Sequence, residues 1–397
     1  MPVIIDDLDD ADALHSADTE GLLHSAALAG AQVRAVAEAQ AEGVLEPLGT
    51  LRPRAVVIVT GGDLLTAGAA DLVVAVCAGR IDVPVVVAPS LPGWIGPLDV
   101  VVVAGVDAGE PLLADALSRA ARRRAEVVVL APLEGPLREA AGTGLRGAVP
   151  LIDLSPRLTV DPRFQYTGLV AGLVATLGAL SAVRMTPAPP SLAEVADRLD
   201  AEAAADHPGQ ESFHNQAKLL ALRAAGRRCV WAGDSAAAGA VARRGASAFF
   251  EIAGLPAAHA GEARALASLG AAAPRATDSI FYDPDFDGPA PADPLRLFVV
   301  STAARSLLTR QRIGTREADL VTEETGDDAF GADRGQVASP AAGSPGVLES
   351  LVDTPADLTG YLVIVVRAQL AAAYLALAGD GAREQADPGQ FGDWGRR

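Results

Sequence analysis

Between Ala242 and Gly261 the chain reads ARRGASAFFEIAGLPAAHAG, which sets one carboxylate, Glu251, and one imidazole, His259, among small and apolar neighbours. A carboxylate made more basic by burial can take a proton from carbon and return it, and an imidazole can move a second proton. On a 3.6-residue period Arg244, Ser247 and Glu251 share one stripe of a helix, with Phe250 and Ile252 turned elsewhere. The same stripe reads equally as a solvated face. His259 lies beyond Pro256, off the helix, and reads equally as an ordinary loop residue.

A second constellation is Thr60, Gly61 and Gly62 in RAVVIVTGGDLLTAGAA, a glycine turn between an apolar strand and a helix. Such a turn can point free backbone N–H groups at an anion, and the glycines read equally as residues that merely make the turn. The spacing is not Gly-x-Gly-x-x-Gly, and no acidic residue closes a second strand, so a dinucleotide is not expected. Asp63, and Asp234 in the similar RRCVWAGDSAAAGAVA, fall where helix caps belong. A carboxylate there accepts first-turn amides and opposes a phosphate. Arg163, in DPRFQYTGLV, can fork onto a phosphate or carboxylate, or onto one of the 50 acidic side chains of the chain itself. With no Gly-x-Ser-x-Gly elbow, no P-loop and no His or Cys cluster, neither a metal nor a cofactor is expected.

Stepping outward, the elements that must position these groups follow a strand and helix rhythm. AVVIV, VPVVVA, DVVVVAGV and EVVVLA are continuous Val runs, the pattern of parallel strands covered on both faces. RRCVWAG and LRLFVVS mark a second unit that begins near Asn215, and the two glycine turns look like a diverged duplication. The expected fold is α/β: two doubly wound parallel-sheet domains with flanking helices. The expected boundaries are a helical segment at 1–44, domains at 45–190 and 191–320, and a loop with a C-terminal helix at 321–397. RMTPAPPSLAEVADRLD reads as the link, and the polar stretch from Glu323 to Leu348 as a lid or a solvated loop.

A length of 397 residues suits two cores. The net charge of -18 repels nucleic acid and anionic lipid, so neither is an expected partner. Cys77 and Cys229 sit in apolar runs as reduced, buried thiols, and the acidic N-terminal stretch is not a secretory signal. The expected compartment is the cytoplasm. YTGLVAGLVATLGALSAV is uncharged but rich in Gly and Ala, the composition of a buried helix rather than a membrane span.

Several segments in this order resemble the bifunctional phosphoglucose and phosphomannose isomerase family, whose members carry two sugar isomerase (SIS) domains. They are VPVVVAPSLPGWIGPLDVVVVAGVDAGEPL, DPRFQYTGLVAGLVATLGAL, FHNQAKLLALRAAGRRCVWAG, AVARRGASAFFEIAGLPA, RLFVVSTAARSLLTRQRIGTRE and LTGYLVIVVRAQLAAAYLALAGDG. The resemblance implies interconversion of glucose 6-phosphate or mannose 6-phosphate with fructose 6-phosphate through a cis-enediol, in a homodimer. It puts the proton-transferring glutamate on Glu251, a substrate-side arginine on Arg163 and the ring opener on His259. The two phosphate loops fall on TGGDLL, with Thr60, Gly61 and Gly62, and on AGVDAGEPL, with Glu110. In the first loop Asp63 stands near the family's Ser, the second has lost its hydroxyls, and the family's C-terminal Lys has no counterpart. These departures imply the alternative of an inactive SIS-domain protein that binds a sugar phosphate or a partner enzyme and regulates it.

Overall fold

A computed structural model describes residues 8–144, 151–271, 295–324 and 352–383. The N-terminal segment forms three helices, α1 (Ala11–Ala17), α2 (Leu22–Ala27) and α3 (Ala29–Ala41). The helical segment expected at 1–44 is thus divided, with a break at Leu28. The first sheet comprises β1 (Ala55–Val59), β2 (Val85–Ala88), β3 (Asp99–Ala104), β4 (Glu126–Leu130) and the two-residue β5 (Ile152–Asp153). It alternates with α4 (Leu64–Cys77), α5 (Pro111–Arg122) and α6 (Gly135–Gly144), and is followed by α7 (Tyr166–Ala179). Two helices, α8 (Leu192–Ala205) and α9 (Gln216–Ala224), lead to the second sheet, formed by β6 (Arg228–Gly233), β7 (Ala257–Gly261), β8 (Leu295–Val300) and β9 (Ala318–Val321). Between and after these strands come α10 (Ala236–Ala253), α11 (Glu262–Ala271), α12 (Ala303–Ile313) and the long α13 (Leu358–Arg383).

Both sheets are parallel, in the orders β2-β1-β3-β4-β5 and β7-β6-β8-β9. The Val runs explain the layering. Successive side chains of a strand point to opposite faces, so a run that is apolar at every position buries both. Val56, Ile58, Val100, Val102 and Val128 enter a core shared with α4, α7, α10 and α13, and Trp231, Phe298 and Val300 of the second sheet enter it from the other side. The intervening Val57, Val59, Val101, Val103 and Val129 form a separate layer with α5 and α6. Ala232, Leu297 and Val299 do the same over α11.

The helices in the shared core follow from composition. α7 carries no charge, and most of its side chains are buried, as a helix in a shared core must be. α13 is long and apolar enough to cross a membrane, yet most of it is covered by protein, and its Arg367 pairs inside with Glu202 at 2.6 Å. The stretch expected as a link contains α8, started by a capping box in which Ser191 and Glu194 exchange hydrogen bonds with each other's backbone. On α9 the ammonium of Lys218 is fully buried, donating to the carbonyls of Pro208 at 2.8 Å and Gln210 at 2.6 Å over the ring of Tyr374. Most of the Glu323 to Leu348 stretch lies outside the described residues.

Candidate functional site

Glu251 is in the last turn of α10, and α10 packs alongside α4, so the end of one helix meets the start of the other. A groove of about 230 Å3 lies there, bordered by Leu64, Leu65 and Gly68 of α4, by Tyr166, and by Arg243, Arg244, Ser247 and Glu251 of α10. The stripe Arg244, Ser247, Glu251 is therefore not simply a solvated face; all three side chains line one groove. Arg244 is buried and forms its centre, donating to Glu251 Oε2 at 2.8 Å and to the carbonyl of Arg163 at 2.6 Å. Arg243 pairs with Asp71 of α4 at 2.9 Å. Tyr166 donates to the carbonyl of Gly68 at 3.0 Å, and burial pushes its phenol well above the ordinary tyrosine value.

The other expected residues come together only in part. Arg163 is adjacent through its backbone, but its guanidinium is committed to Asp161 at 2.7 Å and Glu20 at 2.8 Å. The hydrogen bonds to Asp161, and then to Glu20, raise the Arg163 pKa, and the same contact holds the Asp161 carboxyl below the usual range. His259 is not a loop residue: it lies on β7, the edge strand, paired with Trp231 of β6, and is exposed. It does not line the groove that holds Glu251.

The turn of Thr60, Gly61 and Gly62 leads directly into that groove through Leu64 and Leu65. Thr60 is buried, and Gly61 adopts φ of +62°, which an L side chain resists. Asp63 caps α4, accepting from Leu65 N at 3.2 Å and Thr66 N at 2.9 Å and from the Thr66 hydroxyl. Glu110 caps α5 through Leu112 N at 3.1 Å and packs against Gly61, where an added Cβ would come within 2.8 Å of its Cγ. Asp107 holds Gly109 N at 2.7 Å. The rim of the first sheet thus carries three carboxylates between Leu64 and Leu112, which are 80% and 39% exposed.

In the matching turn of the second sheet, Asp234 is not the cap. Ser235 caps α10, accepting from Ala238 N, while Asp234 takes hydrogen bonds from Ser301 at 2.5 Å and Thr309 at 2.8 Å. The carboxylate at the start of α10 comes from far along the chain. Asp353 accepts from Ala237 N at 3.0 Å, Ser235 at 3.0 Å, Arg305 at 2.8 Å and Tyr361 at 2.6 Å. Sequence gives no signal for that contact. Tyr166 and Arg243 were also missed as site residues, although a tyrosine opening an uncharged helix, and an Arg pair on the Glu251 helix, are visible in retrospect.

No family model matches the chain, and no curated protein matches it. Solved structures do. A protein assigned as a phosphosugar isomerase from Clostridium difficile shares 11% identity and superimposes with a TM-score of 0.56, over 94% of this chain and 96% of its own. One assigned as a tagatose-6-phosphate ketose/aldose isomerase from Clostridium novyi shares 11%, with a TM-score of 0.53 over 93% and 91%. The C-terminal domain of glucosamine-fructose-6-phosphate aminotransferase from Francisella tularensis shares 12%, with a TM-score of 0.52 over 90% and 96%. At these identities the likeness concerns the fold. The chain has the α/β architecture of the SIS-type phosphosugar isomerases, with two parallel sheets and flanking helices.

Proposed function

We propose that this chain is a binding and regulatory protein built on the SIS fold, which recognises a carbohydrate derivative without isomerising it. The observation that carries this reading is Asp63, whose carboxylate occupies the first-turn amides of α4, the groups a phosphate would need. Asp107 and Glu110 add to the negative rim. The remaining groups agree with it. Glu251 is ion-paired to Arg244, Arg163 is spent on Asp161 and Glu20, and His259 lies on an edge strand.

A second reading is isomerisation of glucose 6-phosphate or mannose 6-phosphate to fructose 6-phosphate, with Glu251 as the base. It is favoured by one observation: Glu251 opens onto a groove that also contains a buried guanidinium. Proton NMR of the purified chain with fructose 6-phosphate in D2O separates the two. The expected result is no deuterium exchange at C1 of the ketose and no aldose deuterated at C2, with neutral fructose binding at least as tightly as its 6-phosphate by calorimetry. Exchange that disappears in Glu251→Gln selects the isomerase.

A further inference from the structure

In the second sheet β6 and β8 are neighbours whose connections leave in opposite directions, β6 to the edge strand β7 and β8 to β9. In an open parallel sheet such a reversal opens a crevice beyond the carboxyl ends of the two strands, the usual place for a ligand. Here it lies between Gly233, from which Asp234 and Ser235 lead into α10, and Val300, from which Ser301 and Thr302 lead into α12. Part of the chain itself fills it.

The Asp353 carboxylate, 5% exposed, sits there as a bound anion would. Its Oδ2 accepts from Ala237 N, in the first turn of α10, at 3.0 Å. Its Oδ1 accepts from Ser235 Oγ at 3.0 Å, Arg305 Nη1 at 2.8 Å and Tyr361 Oη at 2.6 Å. A helix-start amide, a guanidinium and two hydroxyls are together a donor set for an oxyanion. The helix end does not act alone, because the Arg305 side chain, 3% exposed, is aimed at the same carboxylate. Nor is Asp353 needed as the cap: Ser235 already fills that role through Ala238 N at 3.1 Å.

Charge selects the class of anion. Among the described residues Arg305 is the cation paired with Asp353, and it is shared with Asp234, whose Oδ1 is 3.5 Å from Arg305 Nε. Arg312 also faces Asp234, at 3.8 Å, but is itself paired with Glu262 at 2.8 Å. One shared guanidinium balances a single negative charge, and the second charge of a phosphate would be buried unpaired.

We propose that the crevice between β6 and β8 is a binding site for a small carboxylate, and that Asp353 closes it as an autoinhibitory contact within the chain. The site is at the opposite end of α10 from Glu251 and does not rest on the carbohydrate reading.

The test is the melting temperature of the whole chain, followed by circular dichroism, in sodium acetate against sodium chloride of equal ionic strength. Asp353→Gly removes a group the size of acetate, so acetate can take its place. Acetate is expected to raise the midpoint of Asp353→Gly by about 2 °C or more over chloride, as a ligand of the folded state alone does. The parent, and Asp353→Asn, whose amide still fills the place, are expected not to respond. Adding Ser235→Ala to Asp353→Gly removes one donor and is expected to weaken acetate about fivefold, read from the concentration dependence of the midpoint. Phosphate is expected to do no more than chloride. An equal response in the parent, a folded Asp353→Gly indifferent to acetate, a response untouched by Ser235→Ala, or a stronger response to phosphate than to acetate overturns the proposal. So does an Asp353→Gly chain that stays unfolded even in acetate, since Asp353 is then a part of the core that no external anion replaces.

Discussion

Arg244 and Glu251 form a salt bridge of 2.8 Å in which the guanidinium is 2% exposed and the carboxylate 35%. The two ends of this pair therefore differ in what their loss leaves behind. Glu251→Ala strands a buried positive charge whose remaining hydrogen-bond partner among the described residues is the Arg163 carbonyl, whereas Arg244→Met leaves a carboxylate that water can reach. Urea unfolding is expected to show a loss of about 2–3 kcal/mol for Glu251→Ala and about 1 kcal/mol for Arg244→Met. The opposite ranking would mean that the pair is solvated from the Arg244 side.

Asp63→Ser tests the proposed function from the other direction. A serine still caps α4 but removes the charge from the anion position. Phosphate, and fructose 6-phosphate, are expected to bind the variant at least tenfold more tightly than the parent by calorimetry, with little change in melting temperature. Unchanged phosphate affinity would show that Asp63 is not what keeps the anion out.

Asp206, at the end of α8, supplies a pH dependence. Burial, and then the charge of Glu202, push its carboxyl up to about 7. The folded state then holds the proton that the unfolded chain releases near pH 4, so stability falls as pH rises from about 4 to about 7. Asp206→Asn keeps an oxygen for Ala217 N, 3.1 Å away, and is expected to flatten that slope in denaturation curves taken across the window.

Burial raises both thiols, Cys77 and Cys229, to about 12. Since the thiolate is the reactive form, neither is expected to modify at pH 8 in the folded protein, and both should label fully in denaturant. A thiol that labels rapidly under native conditions would place that part of the core in frequent local opening.

Gly245 decides between two opposed effects. Alanine is favoured over glycine within a helix by about 1 kcal/mol, but a Cβ here would lie 2.8 Å from the ring of Trp231, which is fully buried. Packing is expected to win, with Gly245→Ala less stable by about 1–3 kcal/mol. A gain in stability would mean that the indole has room to move.

What was legible in the sequence follows from how each element is stabilised. β1, β3 and β4 are buried on both faces, so their Val runs announce them, whereas β7, Ala257–Gly261, is an edge strand of small residues and carries no such pattern. His259 was misplaced for that reason. The spacing of Arg244, Ser247 and Glu251 put them on one face, but only the approach of α4 and Tyr166 turns that face into a groove. Arg163 reaches the groove only through its carbonyl, and the choice of Asp161 and Glu20 for its guanidinium is a tertiary matter. The same holds for Asp353, which reaches the start of α10 across more than a hundred residues.

The placement of Lys218 reaches beyond stability. It is the only lysine in the sequence, and its ammonium is enclosed by the Pro208 and Gln210 carbonyls beneath Tyr374. Burial lowers its pKa, with Asp9 opposing the shift, yet the side chain that would become nucleophilic has no exposed surface. The folded surface therefore presents no side-chain amine. Acyl transfer to lysine, isopeptide tagging and amine-directed crosslinking have no lysine target on this protein until it unfolds.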